Sequence, residues 1–254
     1  MKTFIINLKE NHQRREHMIK QCSDLNIDFE FFPAIRGSAL TEEDKKKHLA
    51  PISLLNTPGE LGCALSHIFI YKKMIDENIK IALILEDDAL LGQGIVDVVN
   101  FLGKEEELEP TVTLLSPISK YIDIKKKQIN KIYNIYDGLT GTLAHGYVIN
   151  NSAAHSLYKF LYPAWSIADH WFLFKEYGII NLRGVIPHCI DLSDHSIQSE
   201  IGDLRFSESI IKKNSGKKKE IKKSFPFKMK KNRFFNKIKM KLIQKKNIKS
   251  YSIF

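Results

Sequence analysis

An apolar run that ends in three consecutive carboxylates constrains this 254-residue chain more than any other feature. Residues 81–85, Ile-Ala-Leu-Ile-Leu, follow Lys80 and precede Glu86, Asp87 and Asp88. A run of this length and composition is typical of a strand buried on both faces, as in the centre of an α/β sheet. The carboxylates then lie at the carboxyl end of the strand, where open α/β sheets bind their ligands.

The acidic triplet has two interpretations. Neighbouring negative charges repel one another unless a cation or hydrogen-bond donors compensate them. Mg²⁺ and Mn²⁺ bind oxygen ligands, and an ion that also holds a phosphate often takes only one or two carboxylates. The triplet therefore indicates either a metal-diphosphate site or an acidic turn that faces water, and its spacing alone leaves both open.

The elements predicted around this strand alternate as in an α/β sheet flanked by helices. A strand over residues 3–8 and a helix over 9–25 open the chain, without the glycine-rich loop of dinucleotide-binding folds or P-loop NTPases. A longer helix starts with Thr57 as N-cap, Pro58 in its first turn and Glu60 three residues after the cap, the pattern of a capping box. Its apolar stripe leaves His67 to one side. Further strands are predicted at 29–35, 111–115, 147–149 and 181–187, an edge hairpin at 121–136, and helices from residue 41 and at 95–102 and 152–162.

Cysteine usage and hydropathy exclude two classes of protein. Cys22, Cys63 and Cys189 are odd in number and widely separated, which argues against a disulfide framework and for a reducing compartment. No apolar run approaches the ~20 residues of a membrane span, and the first residues are too short and polar for a signal peptide. We therefore expect a cytoplasmic protein.

Positive charge is concentrated at the C-terminus. The net charge is +10, yet 17 of the 39 Lys and Arg residues lie in residues 212–254 beside one acid, Glu220, which leaves −6 on the first 211 residues. Apolar residues recur there at helical spacing among the lysines: Phe234, Phe235, Ile238, Leu242 and Ile243. We predict a domain over 1–211 and a basic amphipathic tail over 212–254 that binds an anionic membrane surface rather than nucleic acid. The alternative is a basic tail whose periodicity is accidental.

Four short segments combine into a recognisable pattern. They are residues 5–8 (IINL) with Arg14-Arg15, residues 59–67 (GELGCALSH), residues 84–88 (ILEDD), and residues 141–142 and 146–149 followed by Ala168-Asp169. Together they resemble glycosyltransferase family 25, the bacterial lipooligosaccharide galactosyltransferases and their relatives. The resemblance covers about residues 3–202, although residues 103–137 match nothing in the family and those after 187 match only loosely, at 199–201.

The resemblance implies a GT-A-like, Rossmann-type α/β fold and an inverting transfer of a hexose, galactose first, from a UDP-sugar to a lipooligosaccharide. It implies Mn²⁺ or Mg²⁺ to offset the charge of the leaving diphosphate, and a base for the acceptor hydroxyl. The implied base is Asp169. Donor contacts are assigned to Asn7, Leu8, Arg14, Ser66, His67 and Asp87, and metal ligands to Glu86, Asp88, His188 and His195.

Alternatives stay open at this stage. Ser66 and His67 could brace the acidic strand instead of touching the donor, and Glu60 is a second candidate for the base. The protein would work on the inner face of the bacterial inner membrane as a peripheral enzyme. The competing hypotheses are a polyanion- or membrane-binding protein with a catalytically silent α/β domain, and a phosphohydrolase that uses the same carboxylates.

Overall fold

The computed structural model describes residues 1–141, 143–193, 208–244 and 248–250. The strands are β1 (Lys2–Asn7), β2 (Glu30–Pro33), β3 (Ile81–Glu86), β4 (Ala89–Leu91), β5 (Thr111–Leu114), β6 (Ile118–Gln128), β7 (Asn134–Gly141), β8 (Gly146–Asn150), β9 (Asn181–Ile186), β10 (Ile190–Leu192) and β11 (Ile248–Ser250). The helices are α1 (His12–Asp24), α2 (Glu42–His48), α3 (Pro58–Asp76), α4 (Ile95–Leu102), α5 (Asn151–Leu161), α6 (Trp171–Glu176), α7 (Glu208–Ser224) and α8 (Phe227–Gln244). A 3₁₀ turn covers Gly37–Ala39.

Nine of these strands form one mixed sheet in the order β11-β6-β7-β9-β5-β8-β3-β1-β2. Strands β2, β1 and β3 are parallel, so their carboxyl ends meet at one edge. Strand β8 runs antiparallel between β3 and β5 and therefore begins at that same edge. Strands β4 and β10 pair separately as an antiparallel ribbon. The large central sheet with helices on both faces confirms the predicted α/β class.

Two apolar cores lie on opposite faces of the sheet, because side chains alternate along each strand. Phe4 and Ile84 face the larger core, together with α3, α5 and α6. Ile5, Leu83 and Leu85 face the smaller core, which contains residues of α1 and α4. Strand β3 is therefore buried on both faces, as its uninterrupted apolar run predicts.

The start of α3 is held against the loop that follows β2. A Cβ atom on Gly62 would lie 2.2 Å from the carbonyl oxygen of Ile35, and one on Gly37 would lie 1.7 Å from that of Pro58. Ser66 Oγ donates to the Gly62 carbonyl and accepts the amide hydrogen of Ile35. Glycine is thus required at both positions for the close backbone approach, and Ser66 fastens it.

Several predicted elements need correction. Helix α1 begins at His12, behind an Asn11 cap, rather than at residue 9. The hairpin formed by β6 and β7 is not at the edge of the sheet, because β11 pairs with the outer side of β6. Strands β10 and β11 follow β9 and were not predicted from the sequence. By contrast, α4 has the predicted bounds, and α3 has the capping box expected between Thr57 and Glu60.

Helices α7 and α8 pack on the domain rather than extending away from it. Ile221 is buried in the larger core, and the Phe225 ring lies 4.8 Å from that of Tyr177. Arg233 Nε donates to Glu176 Oε2 at 2.8 Å. The boundary between residues 211 and 212 stays a prediction, and α7 begins at Glu208, before it. Within the described residues, no helix combines the length and hydropathy that a bilayer span requires.

Candidate active site at the carboxyl end of strand β3

The three carboxylates at the carboxyl end of β3 have three different environments, because side chains alternate between the two faces of a strand. Glu86 continues the series of Ala82 and Ile84 and points toward α3. Asp87 continues the series of Leu83 and Leu85 and points toward α1. Asp88 follows the strand and lies in the turn before β4. The pleat therefore divides the triplet between the two helical layers and the sheet edge.

Glu86 belongs to a buried hydrogen-bond network on α3. Its Oε1 lies 3.0 Å from His67 Nε2, and His67 Nδ1 lies 2.8 Å from the Tyr147 hydroxyl, which also contacts Tyr71 at 2.9 Å. Desolvation raises the pKa of Glu86, but the hydrogen bond and charge of His67 outweigh it and hold that pKa below its usual range. His67 lies to one side of the predicted apolar stripe, yet it is 1% exposed, because both of its ring nitrogens have polar partners in the core.

Asp87 is paired with the first helix. Its Oδ1 accepts from Arg14 Nη1 at 2.8 Å, and its Oδ2 accepts from Asn7 Nδ2, also at 2.8 Å. Asn7 is 1% exposed, and its own Oδ1 accepts from Arg15 Nη1 at 3.4 Å. Arg14 and Asn7 thus compensate the charge of Asp87, and the ion pair orients the Arg14 side chain across the edge of the sheet.

Asp88 is the carboxylate with the least compensation. It is 9% exposed, and its Oδ1 has no hydrogen-bond partner among the described residues. Its Oδ2 lies 3.7 Å from Arg14 Nη1, a guanidinium already engaged by Asp87. Burial, and then the negative charges of Glu86 and Asp87, raise the pKa of Asp88 to about 7, against the opposing charge of Arg14. A buried oxygen without a donor fits a divalent cation, since hard cations bind such oxygens.

The ribbon of β4 and β10 brings the segment after β9 to this edge. Ser193 donates its amide hydrogen to the Asp88 carbonyl at 2.9 Å, and Gly92 donates to that of Cys189, also at 2.9 Å. His188 precedes this ribbon and bonds through Nε2 to Asp191 Oδ1 at 2.8 Å. The geometry therefore places His188 in the segment tied to Asp88, while its role as a metal ligand stays a prediction.

Some predicted residues lie outside the described part of the chain. These are His195, Thr142 and residues 199–201. His195 as a metal ligand thus stays a prediction from the sequence.

One histidine at this edge was missed by the sequence analysis. His145 is buried, and its carbonyl oxygen accepts the Glu86 amide hydrogen at 3.1 Å. Burial lowers the pKa of His145, while the charges of Glu86 and Asp191 oppose that shift. Its position between the matched segments 141–142 and 146–149 was the available signal, although a single histidine carries little information.

Asp169 is held by the same loop. Its Oδ2 accepts from the Leu143 amide at 3.2 Å, and Trp171 Nε1 donates to the Leu143 carbonyl at 2.9 Å. Leu143, which bonds to Asp169, is two residues before His145, which bonds to Glu86 of β3. Consecutive Cα atoms are about 3.8 Å apart, so the two contacts lie close together along the chain. The predicted base and the acidic strand are therefore connected through one short loop.

The remaining predicted donor residues lie around the end of β1. The Leu8 carbonyl accepts from the Asn11 amide at 2.8 Å and starts the turn into α1. Beside that turn lies an open depression of about 510 Å³, lined by Lys9, Glu10, His12 and Arg15. Ser66 is buried and fastens the start of α3, as described above. Leu8 and Arg14 thus lie at the sheet edge, whereas Asn7, Ser66 and His67 support it from inside.

A second group of potential metal ligands shares Glu86 with the triplet and includes two residues of α3. Cys63, His67 and Glu86 each offer a ligand atom, and these atoms lie within 4.8 Å of one another. Cys63 and His67 are four residues apart on α3 and so share one face. Because His67 already bonds to Glu86 and Tyr147, we regard the group primarily as support for β3.

This chain belongs to glycosyltransferase family 25. The family model described as glycosyltransferase family 25 (LPS biosynthesis protein) matches residues 1–171, which include β1, α3, β3 and Asp169.

Individual relatives agree with this assignment. The chain is 32% identical over 167 residues to the lipooligosaccharide biosynthesis protein lic2B of Haemophilus influenzae, a match that covers 61% of each chain. It is 36% identical over 95 residues to a putative glycosyltransferase of the same species, covering 36% of this chain and 33% of that one. It is 34% identical over 98 residues to procollagen galactosyltransferase 1-B of Xenopus laevis, covering 34% of this chain and 15% of the relative. The chain thus spans less than two thirds of the length of these relatives.

Among solved structures, the similarity is weak. A putative glucose-1-phosphate thymidylyltransferase from Bacillus anthracis matches 83% of this chain and 99% of its own, at 10% identity and a TM-score of 0.39. At that score the similarity carries no argument about fold or function.

The environment of Asp88 predicts a pH-dependent effect of replacing it. With a folded pKa of about 7 and an ordinary value of 3.8, the unfolded chain releases this proton first as pH rises, so ionisation of Asp88 destabilises the fold between those values. We expect Asp88→Asn to become more stable than wild type as pH rises from about 4 to about 7, by up to ~1.4 kcal/mol per pH unit, and the gain to level off above that. Urea unfolding in EDTA at a series of pH values measures this difference. Asp24→Asn, at an exposed position, is the control, and a difference for Asp88→Asn that does not change with pH would contradict the assigned environment.

Proposed function

We propose that this protein is an inverting, metal-dependent glycosyltransferase of GT-A type. It transfers a hexose, galactose first, from a UDP-sugar to a lipooligosaccharide acceptor. The observation that carries the proposal is the uncompensated Asp88 carboxylate at the end of β3, in a chain of glycosyltransferase family 25. The names of the relatives, a lipooligosaccharide biosynthesis protein and a procollagen galactosyltransferase, support the choice of sugar and acceptor.

The residues that would hold the cation are Asp88 first, then Glu86 and His188, with His195 as a further candidate. A bound Mn²⁺ or Mg²⁺ would offset the charge that develops on the leaving UDP. Imidazole suits Mn²⁺ better than Mg²⁺, so ligation by His188 favours manganese. Glu86 keeps 27% of its side chain exposed although His67 bonds to one of its oxygens, which leaves it accessible to a ligand.

Basic side chains near β1 would contact the donor phosphates. Arg14 lies between Asp87 and Asp88 and is oriented by both, so its guanidinium is pre-organised for an anion at the sheet edge. The Leu8 turn and the depression beside it offer further cationic groups on Lys9, His12 and Arg15. Asn7, Ser66, His67 and Asp87 would act on the donor by fixing the strand end and Arg14.

Asp169 would remove the proton of the acceptor hydroxyl as the sugar is transferred. An inverting displacement needs a base on the acceptor side, within hydrogen-bond reach of the attacking group. The loop that anchors Asp169 also contacts β3, which supports this assignment. Its neighbour His170 bonds to Ser166 Oγ at 2.9 Å, and burial and then the charges of Lys218 and Lys222 lower its pKa to about 4. Because the His170 ring is bonded to Ser166 Oγ and lines a cavity beside Lys218 and Lys222, we assign the role of base to Asp169.

Helix α8 would bring the enzyme to an anionic membrane surface. Its inner face bonds to α6 through Arg233 and Asn236. Its outer face leaves four large apolar side chains exposed among lysines: Phe227, Phe234, Phe235 and Ile238. An apolar stripe bordered by lysines is the composition of helices that lie in a membrane interface. We infer a peripheral location on the inner face of the bacterial inner membrane, where a lipid-anchored acceptor is accessible.

Metal-dependent binding of UDP tests the proposed activity. We expect wild-type protein to bind UDP much more tightly with Mn²⁺ than with EDTA, and Asp88→Asn to lose that dependence, because the cation would lose its principal ligand. Isothermal titration calorimetry measures the binding, and release of hexose from a panel of UDP-sugars identifies the donor. If UDP binds equally with and without metal, or not at all, the catalytically silent alternative is favoured. Release of inorganic phosphate without any acceptor would favour the phosphohydrolase.

Replacement of the proposed base separates chemistry from binding. We expect Asp169→Asn to lower kcat roughly 10²-fold or more while UDP affinity in Mn²⁺ stays unchanged, because the amide cannot accept the proton. Asp76→Asn, at an exposed position paired with Lys72, is the matched control and should leave kcat within about twofold. Retention of kcat by Asp169→Asn would reject the assignment of this residue.

The exposed stripe of α8 predicts reversible membrane binding. We expect the triple replacement of Phe234, Phe235 and Ile238 by Ser to lower affinity for phosphatidylglycerol vesicles roughly tenfold or more, because three apolar side chains no longer enter the interface. Vesicle co-sedimentation measures it. Replacement of Ile19, Leu108 and Ile132 by Ser removes the same number of exposed apolar side chains elsewhere and should leave binding unchanged. Equal losses in the two triple variants would show that α8 has no special role.

A further inference from the structure

A large cavity separates the tail helices from the sheet. Its volume is about 1400 Å³. It is partly open to solvent and is lined by residues of β6, β7, β9 and α6 on one side and of α7 and α8 on the other. Pockets for small molecules typically measure ~300–1000 Å³, so this one can take a long ligand. Beside it, Arg233 and Asn236 of α8 bond to the C-terminal end of α6.

One part of the cavity wall is apolar. Ile122 and Ile124 of β6, Leu139 of β7, Phe172 of α6 and Leu242 of α8 contribute to it. Ile124 and Phe172 are 59% and 44% exposed, although each lies on an element packed into the domain. Leu242 of α8, on the other side of the cavity, is 71% exposed. Exposed apolar side chains on both sides indicate a surface that an apolar ligand would cover.

The rest of the wall has an excess of positive charge. Eight Lys or Arg residues line the cavity against three acids, and two of those acids are already paired: Asp137 with Lys126 at 2.9 Å and Glu176 with Arg233 at 2.8 Å. Burial, and then the charges of Lys239 and Lys126, lower the pKa of Lys175 to about 8 against the charge of Asp137. Burial and Arg233 likewise lower the pKa of Lys222. Cations that depress one another's pKa in this way are stabilised by an anion.

We propose that this cavity binds one phosphate-bearing lipid, with the phosphate against the lysines of α7, α8 and α6 and the alkyl chain along β6 and Phe172. The combination argues for an amphiphile, because a free phosphate would leave the apolar wall uncovered and an apolar ligand would leave the lysines uncompensated. His170 also lines the cavity and adjoins Asp169, the proposed base. The ligand class is thus that of a phosphorylated lipid anchor of the acceptor, an extension that rests on the proposed function.

Binding of a monomeric amphiphile to the full chain tests this site apart from the outer face of α8. The probes are octanoyl and decanoyl lysophosphatidic acid below their micelle concentrations, with octanoyl lysophosphatidylcholine and inorganic phosphate as comparators, measured by calorimetry. We expect one octanoyl lysophosphatidic acid per chain, a roughly tenfold tighter decanoyl complex because two more methylenes are buried, and much weaker binding of both comparators. Equal affinity for the two chain lengths, or for inorganic phosphate, would overturn the proposal.

Paired charge reversals locate the site. Lys222→Glu with Lys239→Glu alters one cavity lysine on α7 and one on α8, and we expect it to weaken lysophosphatidic acid binding roughly tenfold or more. Lys219→Glu with Lys228→Glu changes the charge by the same amount on exposed positions of the same helices and should stay within twofold. Equal losses would show non-specific charge attraction and overturn the site. If the cavity variant loses its helical circular dichroism, Ile124→Asp replaces it, and the proposal then requires the gain from the longer chain to vanish.

The result is separable from that of the proposed enzyme. Metal-dependent UDP binding without any lysophosphatidic acid binding rejects the cavity alone. Lysophosphatidic acid binding without UDP binding supports the cavity and rejects its extension to an acceptor.

Discussion

The alternation of side chains along β3 is the constraint on which the candidate site depends. It sends Glu86 to the layer of α3 and Asp87 to the layer of α1, so that two adjacent carboxylates find partners on opposite faces of the sheet. Asp88 lies in the turn beyond the strand. Its Oδ1 has no hydrogen-bond partner among the described residues, and its Oδ2 lies 3.7 Å from Arg14 Nη1. Three acids that look equivalent in sequence therefore differ in environment: Glu86 and Asp87 fasten the strand end to the helices, and Asp88 keeps a buried oxygen without a donor among the described residues.

Local signals predicted β3 and α3 because each is specified within a few residues. An uninterrupted apolar run identifies the strand, and a capping box between Thr57 and Glu60 identifies the helix start. The environment of the site was not predictable in the same way. His67 can be buried because it bonds to Tyr147, 80 residues away, and to Glu86, 19 residues away. Hydrophobic periodicity does not predict burial of a polar residue whose hydrogen-bond partners are distant in sequence. Strands β4 and β10 are each three residues long, which is too short to show the two-residue alternation of apolar and polar side chains.

The tail shows a related limit of composition. Its lysine content predicts solvation, and its apolar residues predict one amphipathic face. The structure instead gives the tail two apolar surfaces: Ile221, Phe225 and Met229 pack against the larger core, and Phe234 and Ile238 face outward. Charge counts cannot distinguish the docked surface from the outward one. Partners such as Glu176 on α6, which pairs with Arg233, decide which side of the helix packs on the domain. The docked side fixes where the outward side points, so the exposed apolar stripe of α8 has a defined position relative to the domain.

Two places in this molecule carry charge that the protein itself does not neutralise, and they have opposite sign. At the end of β3, burial and then the negative excess raise the pKa of Asp88, while under α8 burial and then the positive excess lower the pKa of Lys175. Each excess costs folding free energy that a ligand of opposite charge would return, since whatever binds only the native state stabilises it. A cation would serve the first place and an anion the second. Asp169 and His170 are neighbours in the chain, yet Asp169 is fastened to the loop beside β3 and His170 lines the basic cavity. The proposed base therefore lies where a sugar nucleotide held by one excess and a lipid-anchored sugar held by the other would meet.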